Sequence, residues 1–174
     1  MEKEKPKINI AYIDAANLDK ALKNYLKWEL DYARFRVWLK ERYKIERAYI
    51  FIGLIPRYKN LYTYLSESGF TLVFKEVVYN SSSNSPKGNC DSDLLMQAME
   101  DYYEGVMDKA VLVASDGDYA SLVKKLNDNG KLEMILSPSF PDKCSILLKK
   151  TGAKISYIND QRSLLEKEKA PGRD

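Results

Sequence analysis

The stretch Val111–Val123, VLVASDGDYASLV, constrains what this chain can fold into more than any other. Val111 to Ser115 are all apolar or small, as a strand buried on both faces requires, and such strands belong to sheets covered by helices on both sides. The chain then breaks at Ser115-Asp116-Gly117-Asp118 and resumes with helical periodicity. Two carboxylates two residues apart, at the carboxyl end of a buried strand, do nothing for packing. Bringing like charges together costs free energy unless a proton or a cation compensates. A helix cap with an acidic first turn accounts for them as well as a metal site does. The segment alone leaves both readings open.

The rest of the chain repeats the strand-then-helix pattern. Lys7–Asp14 (KINIAYID) reads as a buried strand ending in a carboxylate. Ala15 to about Lys44 reads as two helices joined near Trp28–Asp31, with Leu18, Leu22, Tyr25 and Leu26 on one apolar stripe. Tyr32, Phe35, Val37, Trp38 and Leu39 continue that stripe. Ala48–Leu54 is a second strand, and Pro56–Gly69 a helix with Pro near its start and Gly at its end. Thr71–Val78 is a third strand. Tyr79–Asn89 (YNSSSNSPKGN) is low in complexity and reads as an exposed, mobile loop. Asp91–Glu104 is a helix with Leu94, Leu95, Ala98 and Met99 inward, and Val111–Ser115 a fourth strand whose helix, Asp118–Asn129, is closed by Gly130. Leu132–Leu136 is a fifth strand, Ser145–Lys150 a short helix and Ile155–Ile158 a last strand.

Strands separated by helices imply right-handed crossovers. The expected class is α/β: one domain with a mostly parallel central sheet and helices on both faces. Residues 1–7 are expected to be a flexible N-terminus, 8–160 the domain, and 161–174 a charged C-terminal helix and frayed tail. In such sheets sites lie outside the carboxyl ends of the strands, which puts Asp14 and Asp116–Asp118 on one edge.

Composition narrows the chemistry. The 174 residues contain no histidine, which removes Ser-His-Asp and Cys-His catalysis and His-containing zinc sites. For a hydrolase, carboxylates holding a hard metal ion are then the most economical route. The net charge of +3 permits an anionic partner without demanding one. Cys90 and Cys144 stand in no metal-ligand spacing and suit a reducing compartment. No apolar run approaches a membrane span and the start, MEKEKPK, is not a signal peptide. A cytoplasmic location without membrane association is expected.

The acids fall on three segments. Asp14 could merely cap the helix after it, and Asn17 adds a polar group that could orient its carboxylate. Asp91 and Asp93 open the helix after the loop, but residues two apart point about 200° apart on a helix. Asp91 is the one expected to face a shared site, with Asp93 outward or capping. Capping explains each segment separately and does not explain why they converge. All-Asp clusters suit Mg²⁺ or Mn²⁺, singly or in pairs.

Three pieces occur together here: Asp14-Ala-Ala-Asn17, Lys87-Gly-Asn-Cys-Asp91-Ser-Asp-Leu94 and Ser115-Asp-Gly-Asp-Tyr119. In this order and setting they resemble the NYN (LabA-like) branch of the PIN-domain nucleases, over Ile8 to about Ile158. The resemblance implies a PIN-like Rossmannoid fold and metal-dependent cleavage of RNA, that is, an Mg²⁺- or Mn²⁺-dependent endoribonuclease. It implies Asp14, Asp91, Asp116 and Asp118 as catalytic, metal-binding acids, with Asn17 and Ser115 as supporting polar residues. The sequence departs from the family at Ala15 and Ala16, where a glycine is common. Gln97 and Glu100 lie where some relatives carry another acid.

Lys87 in the loop, and Arg57 and Lys59 after the second strand, are candidate RNA contacts, although each is also what a solvated rim looks like. Most of the 13 tyrosines follow the helical stripes and read as core. A non-catalytic RNA-binding or assembly module remains the alternative function. An aspartate-nucleophile phosphatase is disfavoured because Ala15 and Ala16 follow Asp14, and an EF-hand because Asp116-Gly-Asp118 lacks its ligand spacing. Apolar positions on the helices would support a homodimer.

Overall fold

The structure, a computed structural model, describes residues 3–79, 86–87 and 91–172. In chain order the elements are β1 (Ile8–Asp14), α1 (Ala15–Ala21), α2 (Tyr32–Tyr43), β2 (Ile45–Leu54), α3 (Lys59–Glu67), β3 (Phe70–Glu76), β4 (Val78–Tyr79) and β5 (Pro86–Lys87). There follow α4 (Asp91–Tyr103), β6 (Met107–Val113), α5 (Ala120–Asp128), β7 (Leu132–Ser137), α6 (Ile146–Lys149), β8 (Ile155–Tyr157) and α7 (Arg162–Leu165). Six strands form one sheet in the order β3-β2-β1-β6-β7-β8, with every neighbouring pair parallel. The expected α/β class with a parallel sheet is what the molecule has.

Period-two alternation decides which layer each strand residue joins. Ala11 and Ile13 of β1 enter an apolar layer with Leu18 of α1, Phe35 and Leu39 of α2, and Leu65 of α3. Ile10 and Tyr12 face the opposite layer with Leu94 and Ala98 of α4 and Leu122, Val123 and Leu126 of α5. Asp14 is even-numbered, so it continues the Ile10–Tyr12 row and emerges on the α4–α5 side. From β1 the chain builds outward to β2 and β3, and from β6 outward to β7 and β8. The switch point is the crevice between the carboxyl ends of β1 and β6, where open α/β sheets place their sites.

Several boundaries differ from those expected of the sequence. β2 begins at Ile45 and β6 at Met107, because backbone pairing (Asn9 with Ile45, Ile8 with Met107) extends past the exposed Glu46, Arg47 and Asp108. Charge at a strand's amino end hides it from a search for apolar runs. The break expected near Trp28–Asp31 follows a wide turn, Leu22–Leu26, capped by Lys27 in the left-handed conformation (φ 61°). Asp31 then caps α2 by accepting from the Arg34 amide at 3.0 Å. The third strand stops at Glu76, and Val78–Tyr79 pairs antiparallel with Pro86–Lys87 instead. The expected mobile loop thus carries a short ladder, and its residues 80–85 and 88–90, Cys90 included, lie outside the described residues.

The start of the tail, Glu166–Glu168, is tethered. Leu165 is fully buried, and Glu166 and Lys167 run antiparallel to Glu29–Asp31, with Asp31 N to Leu165 O and Lys167 N to Glu29 O both 2.8 Å. One apolar anchor is enough to dock a polar segment. Among the described residues, no helix is long and apolar enough to cross a membrane.

Candidate metal centre

Each acid arrives at the crevice for a local reason. Asp14 ends β1 and caps α1, its Oδ1 accepting from the Asn17 amide at 3.0 Å. The capping role that the sequence left open is therefore real, and it fixes this carboxylate beside the sheet edge. Asp91 is the first residue of α4, where the helix dipole favours a negative group. Asp116 follows β6 and closes a tight turn by accepting from the Asp118 amide at 3.1 Å. Gly117 lets this turn lie close to its neighbour: a Cβ there would stand 2.6 Å from Ser145 Oγ. The turn is pressed against the start of α6.

One carboxylate oxygen from each of Asp91, Asp116 and Asp118 lies within 4.8 Å of the others. Asp14 is held just behind this triad by Tyr119. The Tyr119 side chain is fully buried, and its hydroxyl lies 2.8 Å from Asp14 Oδ2 and 2.8 Å from Asp91 Oδ1. Four acids from three segments thus share one locality, three directly and the fourth through a tyrosine.

The electrostatics are those of crowded like charges. Burial pushes the Asp91 carboxyl above the ordinary carboxylate range; the Tyr119 hydroxyl pulls it back, and Asp14 and Asp116 push it further up. The Asp118 carboxyl is raised mainly by the charge of Asp116. Burial, reinforced by Asp14 and Asp91, raises the Tyr119 phenol, which stays protonated and available as a donor. Among the described residues no lysine or arginine pairs with Asp14, Asp116 or Asp118. Two oxygens on one Mg²⁺ can stand up to about 4.2 Å apart, so small side-chain rotations would let the triad close on one ion. The donor set is all oxygen and anionic, which fits a hard divalent cation.

The supporting residues form a second line. Asn17 Oδ1 accepts from the Ser115 amide at 2.9 Å and contacts Ser115 Oγ at 3.1 Å, tying α1 to the end of β6. Ser115 Oγ also meets Ser139 Oγ at 2.9 Å. Asn17 and Ser115 therefore hold the two central strand ends together. Asp93 is half-buried and joins none of the described hydrogen bonds, ion pairs or the acid triad. Gln97 is turned away to donate to Asp101 at 3.0 Å, and Glu100 is exposed.

The basic candidates stand apart. Arg57 and Lys59 are exposed at the start of α3, with the Arg57 guanidinium 5.1 Å from the Tyr58 ring centroid. Neither makes a hydrogen bond or ion pair with the acids. Lys87 lies in β5, and its side chain is outside the described residues.

Reading the sequence for carboxylates missed Tyr119. The signal was present, since an aromatic directly follows Asp118, but apolar periodicity assigned the tyrosines to the core. Tyr119 is core by its ring and site by its hydroxyl.

Among curated proteins, none matches this sequence. In fold, the chain is similar to the crystal structure of a protein of unknown function from Vibrio parahaemolyticus, with a TM-score of 0.71 and 22% identity, over 95% of this chain and 99% of that one. The NYN domain profile matches residues 9–151, which span the sheet from β1 to the end of α6 and include all four acids. The chain belongs to the NYN domain family, a branch of the PIN-like nuclease superfamily.

Proposed function

We propose that the protein is a metal-dependent endoribonuclease. The observation that carries this reading is the convergence of Asp91, Asp116 and Asp118 within 4.8 Å at the sheet's switch point, in a chain of a nuclease-like family. Asp91, Asp116 and Asp118 would hold Mg²⁺ or Mn²⁺, which when bound supplies charge neutralisation at the scissile phosphate and an activated water.

The chain's own residues supply the geometry. Asp14 and Asp91 are spaced by the Tyr119 hydroxyl, so their carboxylates keep a fixed separation. Asp116 is fixed by the Asp118 amide, and the Ser115–Asn17 contacts lock the strand end that carries it. The family relationship supports nucleic acid as substrate class. RNA, the two candidate metals and the assignment of Asp14 to the reacting centre are parts of the proposal.

The test is incubation of purified protein with end-labelled single-stranded and structured RNAs, in Mn²⁺, Mg²⁺ or EDTA. Cleavage in the metal arms, lost in EDTA and in Asp116→Asn, is the expected result. RNA binding without cleavage in any metal, unaffected by Asp116→Asn, would point instead to a non-catalytic binding module.

A further inference from the structure

Asp116 borders a second feature, an open cleft of about 320 Å³ between α1 and the segment 139–145 that follows β7. Its floor is polar and cross-braced. Asn17, Ser115 and Ser139 form the hydrogen-bonded row already described, and the Ser145 amide donates to Ser115 O at 3.0 Å. Ser139 is held from beneath, with its amide 3.2 Å from Ser137 Oγ. These contacts fix the floor.

The walls carry the cleft's two cationic residues, Lys20 from α1 and Lys143 from the segment after β7. Both are exposed, and neither ammonium makes an ion pair or side-chain hydrogen bond among the described residues. Lys143 Nζ instead sits 5.7 Å from the centroid of the Tyr25 ring, which also lines the cleft. On the neighbouring surface of α1, Lys23 is by contrast paired with Asp19 at 2.9 Å. Two exposed cations from different elements thus flank a hydroxyl-lined floor beside the acidic centre.

We infer that this cleft binds a phosphate of the substrate strand other than the one presented to the acids, with Lys20 and Lys143 supplying the charge. This deepens the nuclease reading and rests on it for the identity of the strand. A cation at the acid triad offsets the acids and the one phosphate it touches, and does nothing for the phosphates beyond it. A neighbouring phosphate therefore needs cations of its own. Asp116 stands between the two sites, so the strand would run from the triad across Asp116 into the cleft. The shared chemistry is a phosphate group, either internal to the strand or at its end.

The test is binding, measured in EDTA so that neither metal nor cleavage is involved. Fluorescence anisotropy of a short single-stranded RNA, with and without a 5′-phosphate, is followed across a salt series. The proteins compared are wild type, the Lys20→Ala/Lys143→Ala double variant, the corresponding double Arg variant, and Lys40→Ala as an exposed-lysine control. The double Ala variant should bind several-fold more weakly, and its log–log salt slope should fall by about 0.7 to 1 for each lysine–phosphate pair removed. The double Arg variant and Lys40→Ala should stay near wild type. A loss confined to the 5′-phosphorylated RNA assigns the cleft to a strand end; an equal loss for both RNAs assigns it to an internal phosphate. Unchanged affinity and slope in the double Ala variant, or no RNA binding by wild type, overturns the inference. Lysine-dependent binding by a protein that cleaves nothing in Mn²⁺ or Mg²⁺ would retain the cleft and remove the nuclease. Cleavage by a protein whose binding ignores both lysines would do the reverse.

Discussion

Tyr12 and Tyr119 lie in the same apolar layer beneath α4, and each hydroxyl meets a buried carboxylate. The two pairings are built from the same elements. Tyr12 and Asp14 are neighbours on one face of β1, while Asp91 and Asp101 sit ten residues, or about 15 Å, apart on α4. At Asp101 the arrangement is closed: Oδ2 accepts from Tyr12 at 2.6 Å and Oδ1 from Gln97 at 3.0 Å. One acid meets two neutral donors, and nothing is left over. At Tyr119 two acids share one hydroxyl, with Asp116 and Asp118 close by. A phenol has one proton to donate, so it satisfies Asp14 or Asp91 but not both at once. Asp14 has the Asn17 amide besides, and Asp116 the Asp118 amide, so what sets this end apart is crowded charge, which a proton or a cation relieves. A buried acid is thus no sign of function by itself; the convergence of several like charges is what distinguishes the Tyr119 end.

The largest effect should come from removing one member of the crowded end. Asp116→Asn keeps an oxygen for the Asp118 amide and removes a ligand charge. Metal-dependent cleavage should fall beyond the roughly 10–100-fold expected of a group that only orients a ligand. Added Mn²⁺ should raise the thermal midpoint of wild type by mass action and leave that of the variant nearly unmoved. Wild-type cleavage by Asp116→Asn would break the contrast between the two ends.

A paired substitution sharpens it. Tyr119→Phe and Tyr12→Phe each delete one buried hydroxyl, so each should cost about 1–3 kcal/mol, or several degrees in Tm. Only Tyr119→Phe should also weaken metal affinity and cleavage, by roughly 10-fold or more. Parallel drops in activity for both variants would mean that the Asp101 arrangement is not the closed, structural one described.

The smallest effect concerns charge alone. The Asp118 carboxyl is raised in the folded protein, so protonation favours folding. That contribution is complete below the unfolded carboxylate range and is lost as the pH climbs through the raised value. At neutral pH the metal-free protein carries the full repulsion, and Asp118→Asn should raise Tm by up to roughly 2 °C. The gain should shrink toward zero as the pH is lowered to about 4. A gain that persists in acid would assign it to something other than repulsion.

Much of this was legible in the sequence. Buried strands such as Ile10–Ile13 and Val111–Ala114 announce themselves as unbroken apolar runs, and the turn after β6 shows in Asp116-Gly117-Asp118. Asp14 and Asp116–Asp118 could be placed on one edge by the rule for parallel sheets, and Asp91 joined them as the start of a helix. What stayed hidden was side-chain pairing across long separations. Tyr119 reaches Asp14 across 105 positions, and no periodicity records that. Lys20 and Lys143 look like any other surface lysines until α1 and the segment after β7 are seen to flank one cleft. Docking of the tail rests on Leu165, a single residue in a charged stretch, too little to register as a pattern.

The central pairing of β1 with β6 has a consequence for how the molecule comes into being. Ile8 pairs with Met107, and the Asn9 side chain bridges Tyr43 O and the Lys109 amide, at 3.0 and 3.1 Å. Pairings of such long sequence separation close late, because loop-closure entropy must be met before they contribute. During synthesis at about 5–20 residues per second, β1 waits for roughly a hundred further residues before its inner neighbour exists. The acids at 14, 91 and 116–118 cannot meet before that strand is inserted. No amino-terminal fragment ending before residue 116 can assemble the triad, so the site comes into being only once β6 has joined β1.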